Sequence, residues 1–458
     1  MEYSPANFLR IHNALEAARR AFSNDQEPLD IGYTAPDRKV LAAALRGAKA
    51  EARKQGMREM SNSLVATAPG VNAEPVRLTI RLVGETFEFA ALTAEASIPQ
   101  RDTQIDPQLV EEANNLLPQA AEVADQLNHG NLLGRLLIPN DLREKVVRPG
   151  VPLVVTVDAT TARVHWEMVA LNSAHAGGNF TPGSFLGTAC GLTRQLRTNF
   201  APLPEAPLVS GRALRVLVVA DPAGDAPLPG AQEEGEAVAA IFEEFGRTQP
   251  VEIVRLFGPG EATRVAVLDQ LINSRFDVLH FAGHCFFNTK DPANSGWLFN
   301  AEPRQVLTAH ELSRIDRVPR FVFSNACESG ITPDRASKRS ALLAPSFAEA
   351  FFARGVSNFI CTAWPVDDAG ALAFARRLYR GLLGLRGPGT SPESAHEAMT
   401  AARIEIAVPG SGGMQTWGAY QHYGDPNFRF GASVSATQKQ TASVPKKSPR
   451  PARRSKKK

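Results

Sequence analysis

The chain has 458 residues, 43% of them hydrophobic and 21% charged, an ordinary globular composition with room for two or three domains. No apolar run reaches the length of a bilayer, and Met1-Glu-Tyr-Ser-Pro5 does not open a signal peptide, so the sequence speaks against a membrane span or a secreted protein. The four cysteines, at 190, 285, 327 and 361, show no CxxC spacing; this argues against a disulfide framework and a structural zinc site and fits a reducing cytoplasm. The net charge of +3 conceals an asymmetry: residues 434–458 hold nine Lys and Arg and no acid, which leaves the preceding part at −6.

In chain order, Asn7 to Phe22 and Pro36 to Ser61 read as helices, the second with Val40, Leu41, Ala44, Leu45 and Ala48 at helical spacing. The period then falls to two around Val76-Arg-Leu-Thr-Ile-Arg-Leu82 and Thr86-Phe-Glu-Phe-Ala90, separated by Gly84, which predicts a β-hairpin within 75–98. A helix over Pro107 to Leu127 leads to a strand at Leu153-Val-Val-Thr-Val157, then to His165-Trp-Glu-Met-Val-Ala-Leu171 and a helical stretch toward Arg197. Pro202 to Pro207 reads as a linker. Beyond it strands and helices alternate: strand 214–220, helix 232–245, strand 251–257, helix 262–274, a strand ending at His284, a long insertion, and a strand ending at Cys327. A helix at 344–354, a strand at 357–364 and helices at 369–385 and 392–406 follow. Such alternation of apolar strands with helices predicts a mostly parallel sheet flanked by helices, the α/β class. The tail after 434 lacks large apolar groups; it reads as a solvated extension or as an anchor to nucleic acid or an anionic surface by charge alone.

Two strands end in reactive side chains, Phe276-Asp-Val-Leu-His-Phe-Ala-Gly-His284 and Arg320-Phe-Val-Phe-Ser-Asn-Ala-Cys327. Parallel strands would bring both to one sheet edge, where α/β folds keep their sites, and a thiol beside an imidazole is the minimal equipment for cysteine nucleophilic catalysis. Small residues, Gly283 and Ala326, precede both and permit close backbone approach. Period two places His280 on the same side as His284, as a support from below. Cys190 and Cys361 lie in apolar stretches and read as packing residues, as do Trp417 and Tyr420, while Asp425-Pro-Asn reads as a turn. His280 and His284 lack the helix and glutamate of a zincin motif, and Gly258-Pro-Gly is too short for a phosphate loop. Neither a metal nor another cofactor is expected.

Seven segments in order then resemble the CHAT domain, a bacterial relative of the caspase and separase peptidases. They are Leu133-Gly-Arg-Leu-Leu-Ile-Pro139, His165-Trp-Glu-Met-Val-Ala-Leu171, Ala220-Asp-Pro-Ala-Gly-Asp225 with Leu228-Pro-Gly-Ala231, and Leu279-His-Phe-Ala-Gly-His284. The others are Ser324-Asn-Ala-Cys-Glu-Ser-Gly330, Thr362-Ala-Trp-Pro-Val-Asp-Asp368 and Trp417-Gly-Ala-Tyr-Gln-His-Tyr-Gly-Asp-Pro426. The resemblance implies that His284 and Cys327 are the dyad of a cysteine endopeptidase, with the backbone N–H groups of Cys285 and Cys327 as the oxyanion hole. The family has glycine after this histidine, and here it is Cys285; a position needing positive φ would strain a cysteine. A second thiol there also raises the idea of an inhibitory disulfide with Cys327. In related separases an acid shortly after the corresponding Trp binds a P1 arginine, which makes Asp367 and Asp368 candidates for a basic P1 side chain; equally, they could cap the following helix.

The resemblance implies an N-terminal α+β accessory domain at 1–115, a pseudo-catalytic half at 116–207, a caspase-like half at 208–433 and a basic disordered tail at 434–458. The loop Asp334-Arg-Ala-Ser-Lys-Arg-Ser340 is where caspase-like enzymes shape the site or are cut on activation. The expected activity is regulated hydrolysis of a protein substrate in bacterial defence or regulated death, switched on by a separate protein partner docking on the N-terminal domain. The alternative is a catalytically silent scaffold for protein–protein interaction, which the glycine-to-cysteine departure at 285 favours.

Overall fold

A computed structural model describes residues 74–430, apart from 95, 147, 149, 171–181, 198–211, 287, 289–293, 313, 316–317, 328–355, 409–410 and 412. The helices expected within 7–61, the linker at 202–207, the basic loop at 334–340, the helix at 344–354 and the basic tail lie outside the described residues.

Thirteen strands build the centre of the described fold: β1 Val76–Val83, β2 Thr86–Leu92, β3 Ser97–Gln104, β4 Leu153–Val157, β5 Thr193–Leu196, β6 Leu214–Ala220 and β7 Val251–Phe257, then β8 Val278–Phe286, β9 Gly296–Asn300, β10 Gln305–Thr308, β11 Phe321–Cys327, β12 Asn358–Thr362 and β13 Tyr420–Gly424. The main sheet runs β7-β6-β8-β11-β12-β13-β5-β4-β1-β2-β3, and β9 and β10 extend from the end of β8 as an antiparallel ladder. Strands β7, β6, β8, β11 and β12 are mutually parallel, and β13, β5, β4 and β1 form a second parallel set. The sets run in opposite directions and meet where β12 pairs antiparallel with β13. The architecture is therefore α/β with a mixed, mostly parallel sheet.

Helices α1 Pro107–Asn115, α2 Val123–Leu137, α3 Pro229–Gly246, α4 Arg264–Asn273, α5 Asp368–Leu382 and α6 Ala395–Ala407 flank the strands. Val238 and Phe242 of α3 and Phe374 and Leu378 of α5 share one core with Val216, Val218, Val278 and Phe323. Val267 and Leu271 of α4 share the other with Leu217, Val219, Leu279 and Phe281. Alternate residues of β6 and β8 thus serve opposite faces, both of them buried, which is why these strands read as unbroken apolar runs.

Several elements differ from the sequence reading. The hairpin expected within 75–98 is present, turning at Gly84 with φ +62°. However, β1 is hydrogen-bonded in parallel to β4, so β1–β3 complete this sheet rather than belonging to a separate accessory domain that ends at 115. The helix expected over 107–127 is two, α1 and α2. Pro118 lies between them and lacks the N–H a continuous helix needs. Of the helical stretch expected toward Arg197, the described residues show a 3-10 turn at Pro182–Ser184 and one α turn at Leu186–Ala189, followed by β5. Strand β13 also went unread, because Tyr-Gln-His-Tyr-Gly mixes polar with aromatic residues although every one is buried.

His422 explains that burial. Its Nδ1 lies 3.0 Å from Thr193 Oγ1 and its Nε2 2.9 Å from Asn358 Oδ1, pinning β13 to both neighbours. His165 is buried edge-on against Trp364 at 4.8 Å between ring centroids. Burial, helped by Arg403 for His422 and Arg194 for His165, lowers both imidazoles from 6.5 to about 3. Each ring is then neutral in the folded protein while the unfolded chain takes up its proton below 6.5. Stability is undiminished above pH 6.5 and falls as the pH drops from there toward 3. Denaturant unfolding should show a loss of about 1.4 kcal/mol per pH unit for each ring across that window.

Candidate active site

The parallel ladder between β8 and β11 runs from Phe321 opposite Val278 to Cys327 opposite His284. The two α-carbons therefore face each other across adjacent strands, about 4.8 Å apart at ordinary strand spacing. The site forms where this ladder ends. Before it, Ala326 pairs with Gly283, and a Cβ on Gly283 would come 3.0 Å from Pro222 Cδ, so the glycine lets the loop 221–228 lie close over β8.

That loop aims the imidazole. His284 is buried, and its Nε2 sits 2.8 Å from the carbonyl oxygen of Ala226. A carbonyl can only accept, so Nε2 carries the hydrogen and Nδ1 keeps its lone pair. Burial lowers the pKa of His284 below 6.5, partly offset by the Ala226 bond and the Asp221, Asp225 and Asp368 carboxylates. The ring is thus a neutral base at neutral pH. Asp221 is the only non-glycine among the described residues with positive φ, +48°. Its N–H donates to Ala282 O at 2.9 Å and its Oδ1 accepts from Leu228 N at 2.8 Å, closing the loop on itself.

Beneath the paired ends of β8 and β11 lies a buried polar cluster that sequence reasoning missed except for His280. Asn325 Nδ2 lies 2.9 and 2.8 Å from the two carboxylate oxygens of Glu234. His280 Nε2 is 3.1 Å from Glu234 Oε1, and its Nδ1 is 3.3 Å from the Tyr379 hydroxyl. Tyr420 donates its hydroxyl to Asn325 Oδ1 at 3.4 Å. His280 occupies the face of His284, as period two predicts, but its polar neighbours come from α3 and α5. Asn325, Asp221 and Asp225 stand inside segments that carried the family resemblance. Glu234 has no such signal, because the neighbouring acids of α3 look the same in sequence.

Asp367 and Asp368 part company. Asp367 Oδ1 accepts from Ala369 N at 3.0 Å and Gly370 N at 3.1 Å, making it the N-cap of α5. The carboxyl of Asp368 instead lies against the start of α3: a Cβ on Gly230 would stand 2.4 Å from its Cγ. Burial raises the pKa of Asp368, with Asp367 and Glu234 adding to the effect and His284 opposing it. Asp368 therefore lies within electrostatic reach of His284.

Cys285 adopts no positive φ, so replacing glycine there introduces no backbone strain of that kind. Its Sγ donates to Gly296 O at 3.1 Å, among Phe281 and Trp297 in the core facing α4. Alternation along β8 puts that core on the sheet face opposite His284. Cys190 and Cys361 are buried, and burial pushes their thiols up, Cys190 to about 11. Trp417 and Tyr420 are fully buried, Tyr420 stacked on Phe374 at 3.5 Å. Among the described residues no group of three or more His, Cys, Asp or Glu is placed to hold a metal ion, and no helix is long and apolar enough to cross a membrane. A Cys285→Ser protein should lose Cys327 reactivity to mild oxidants at the same rate as wild type, measured by peptide-resolved alkylation; clear resistance would restore the regulatory disulfide.

Among solved structures the chain is similar to the Arg-specific cysteine proteinase gingipain R, at 13% identity and TM-score 0.40 over 66% of this chain and 67% of that one. It is also similar to the complex of Porphyromonas gingivalis RgpB pro- and mature domains, at 13% identity and TM-score 0.39 over 70% and 77%. A third likeness is the Saccharomyces cerevisiae separase–securin complex, at 9% identity and TM-score 0.45 over 78% of this chain but only 30% of that one. No curated protein matches the sequence. The CHAT domain matches residues 127–425, well over half of the sequence and the stretch from within α2 to the end of β13, and the chain belongs to the CHAT domain family.

Proposed function

We propose that the chain is a cysteine endopeptidase in which His284 is the base and Cys327 the nucleophile. The observation that carries this reading is the register of β8 and β11, which pairs the two residues where the ladder ends, with the lone pair of the imidazole left on Nδ1. The thiol proton passes to Nδ1 and the sulfur attacks the scissile carbonyl carbon. The resulting oxyanion is held by the N–H groups of Cys285 and Cys327. Collapse expels the amine, which takes the proton from His284 and leaves a thioester; water then releases the acid and restores the thiol. Comparison of new protein N-termini in cells expressing wild type or Cys327→Ala tests this directly. Wild type is expected to generate termini that the variant does not. Identical sets, with neighbouring gene products present, would leave the silent-scaffold alternative.

Cleavage after a basic residue follows from the same reading. Asp367 is occupied in capping α5, which leaves Asp368 as the carboxylate for a P1 arginine or lysine. Asp368→Asn should lower kcat/KM for an arginine P1 peptide about 10- to 100-fold, the range of a charge-assisted hydrogen bond worth about 1.5–3 kcal/mol. The wild-type preference should also weaken in acid, as the raised carboxyl of Asp368 takes up its proton. A peptide library that favours Asp or Leu at P1 overturns the assignment.

Family membership extends the reading to regulated hydrolysis of one or a few proteins in a bacterial defence or regulated-death system, in the cytoplasm. A separate protein docking on the N-terminal region would supply the trigger. The nine basic residues beyond 433 would add contact with nucleic acid or another anionic surface.

A further inference from the structure

The loop that aims His284 is tied at a second point, away from the sheet. Asp225 precedes Ala226, whose carbonyl oxygen lies 2.8 Å from His284 Nε2. The Asp225 carboxylate accepts from Ala301 N at 2.9 and 2.8 Å and from Glu302 N at 2.6 Å, in the turn between β9 and β10. Those backbone bonds lower the carboxyl pKa, so the group is ionised and a strong acceptor at neutral pH. One continuous connection therefore leads from that turn through Asp225 and the Ala226 carbonyl to the ring of His284. It runs beside the Asp221–Leu228 closure, which fixes the ends of the loop but not its middle.

We propose that Asp225 is a positioning residue: by clamping the loop to the β9–β10 turn it holds the Ala226 carbonyl in place and thereby locks His284 in the tautomer that carries hydrogen on Nε2. The clamp makes that turn, Ala301 and Glu302, an input to the dyad, because displacing it frees the carbonyl that aims the base. Its catalytic meaning rests on the peptidase reading, but the clamp itself is a statement about the ring.

Nitrogen-15 NMR of histidine-labelled protein, with the His284 signals assigned by comparison with His284→Gln, reads the tautomer directly at a pH where the ring is neutral. Wild type should show the Nε2–H form alone. Asp225→Ala should lower the ratio of Nε2–H to Nδ1–H about tenfold, roughly the upper end of what one hydrogen bond is worth. Asp225→Asn keeps one acceptor oxygen and should fall between the two, an ordering that a general loss of stability would not produce. Glu302→Pro removes a donor from the opposite side and should shift the ratio in the same direction. A wild-type ratio in Asp225→Ala and Glu302→Pro would overturn the proposal. Because the readout is the ring and not proteolysis, it decides the clamp even if the chain cuts no protein.

Discussion

The seven-residue parallel pairing of β8 with β11 is the constraint on which the site depends. Both strands are buried on both faces, and that is what holds their register. A slip of one residue would carry Phe281, Val322 and Phe323 to the wrong cores and bring His284 opposite Ala326 or beyond the end of the strand. The same register that satisfies the two hydrophobic cores therefore also sets His284 against Cys327. Packing and chemistry are specified together.

The polar groups around the pairing follow the rule that buried charge must be met by partners. Glu234 is almost fully buried, and its carboxylate would be costly there without Asn325 and His280. In turn the carboxylate fixes Asn325, two residues before Cys327, and lies 3.1 Å from Nε2 of His280, four residues before His284. Tyr379, whose hydroxyl is kept protonated by burial and by Glu234, closes the cluster from α5. The strand ends are thus stiffened from beneath by a network of side chains, and His284 is oriented from above by backbone.

The second half-sheet reaches the site through β13 and the loop after β12. Glu167, in the segment before β5, meets Arg194 of β5 in a fully buried ion pair, and Arg194 also donates to the carbonyls of Ala162 and Val164. Arg403 of α6 lies 3.8 Å from the same carboxylate and donates to Tyr420 O at 2.8 Å. Removing Glu167 alone would leave two buried guanidinium groups without their counter-charge, the situation in which a buried pair matters most. His165, two residues from Glu167, rests on Trp364, which opens the loop to Asp367 and Asp368. The half-sheet of β13, β5, β4 and β1 is therefore packed, through His165 and Trp364, against the loop that carries Asp367 and Asp368.

By itself the sequence determined the strand–helix alternation, the mostly parallel sheet, the two strands that end in His284 and Cys327, and the family. Apolar runs, cap residues and seven ordered segments are local signals, readable without knowing what packs on what. Only the tertiary structure decided that β1–β3 complete the sheet, that Asp367 is the cap while the carboxyl of Asp368 lies against the start of α3, and that Cys285 faces the opposite core. It also decided which of several like acids on α3 is buried. Those outcomes depend on which backbone groups pair across long separations and on which side of a strand a residue falls, and no local pattern encodes either. The polar strand β13 shows the same limit: its burial is stabilised by Thr193 and Asn358, partners more than sixty residues away in the chain.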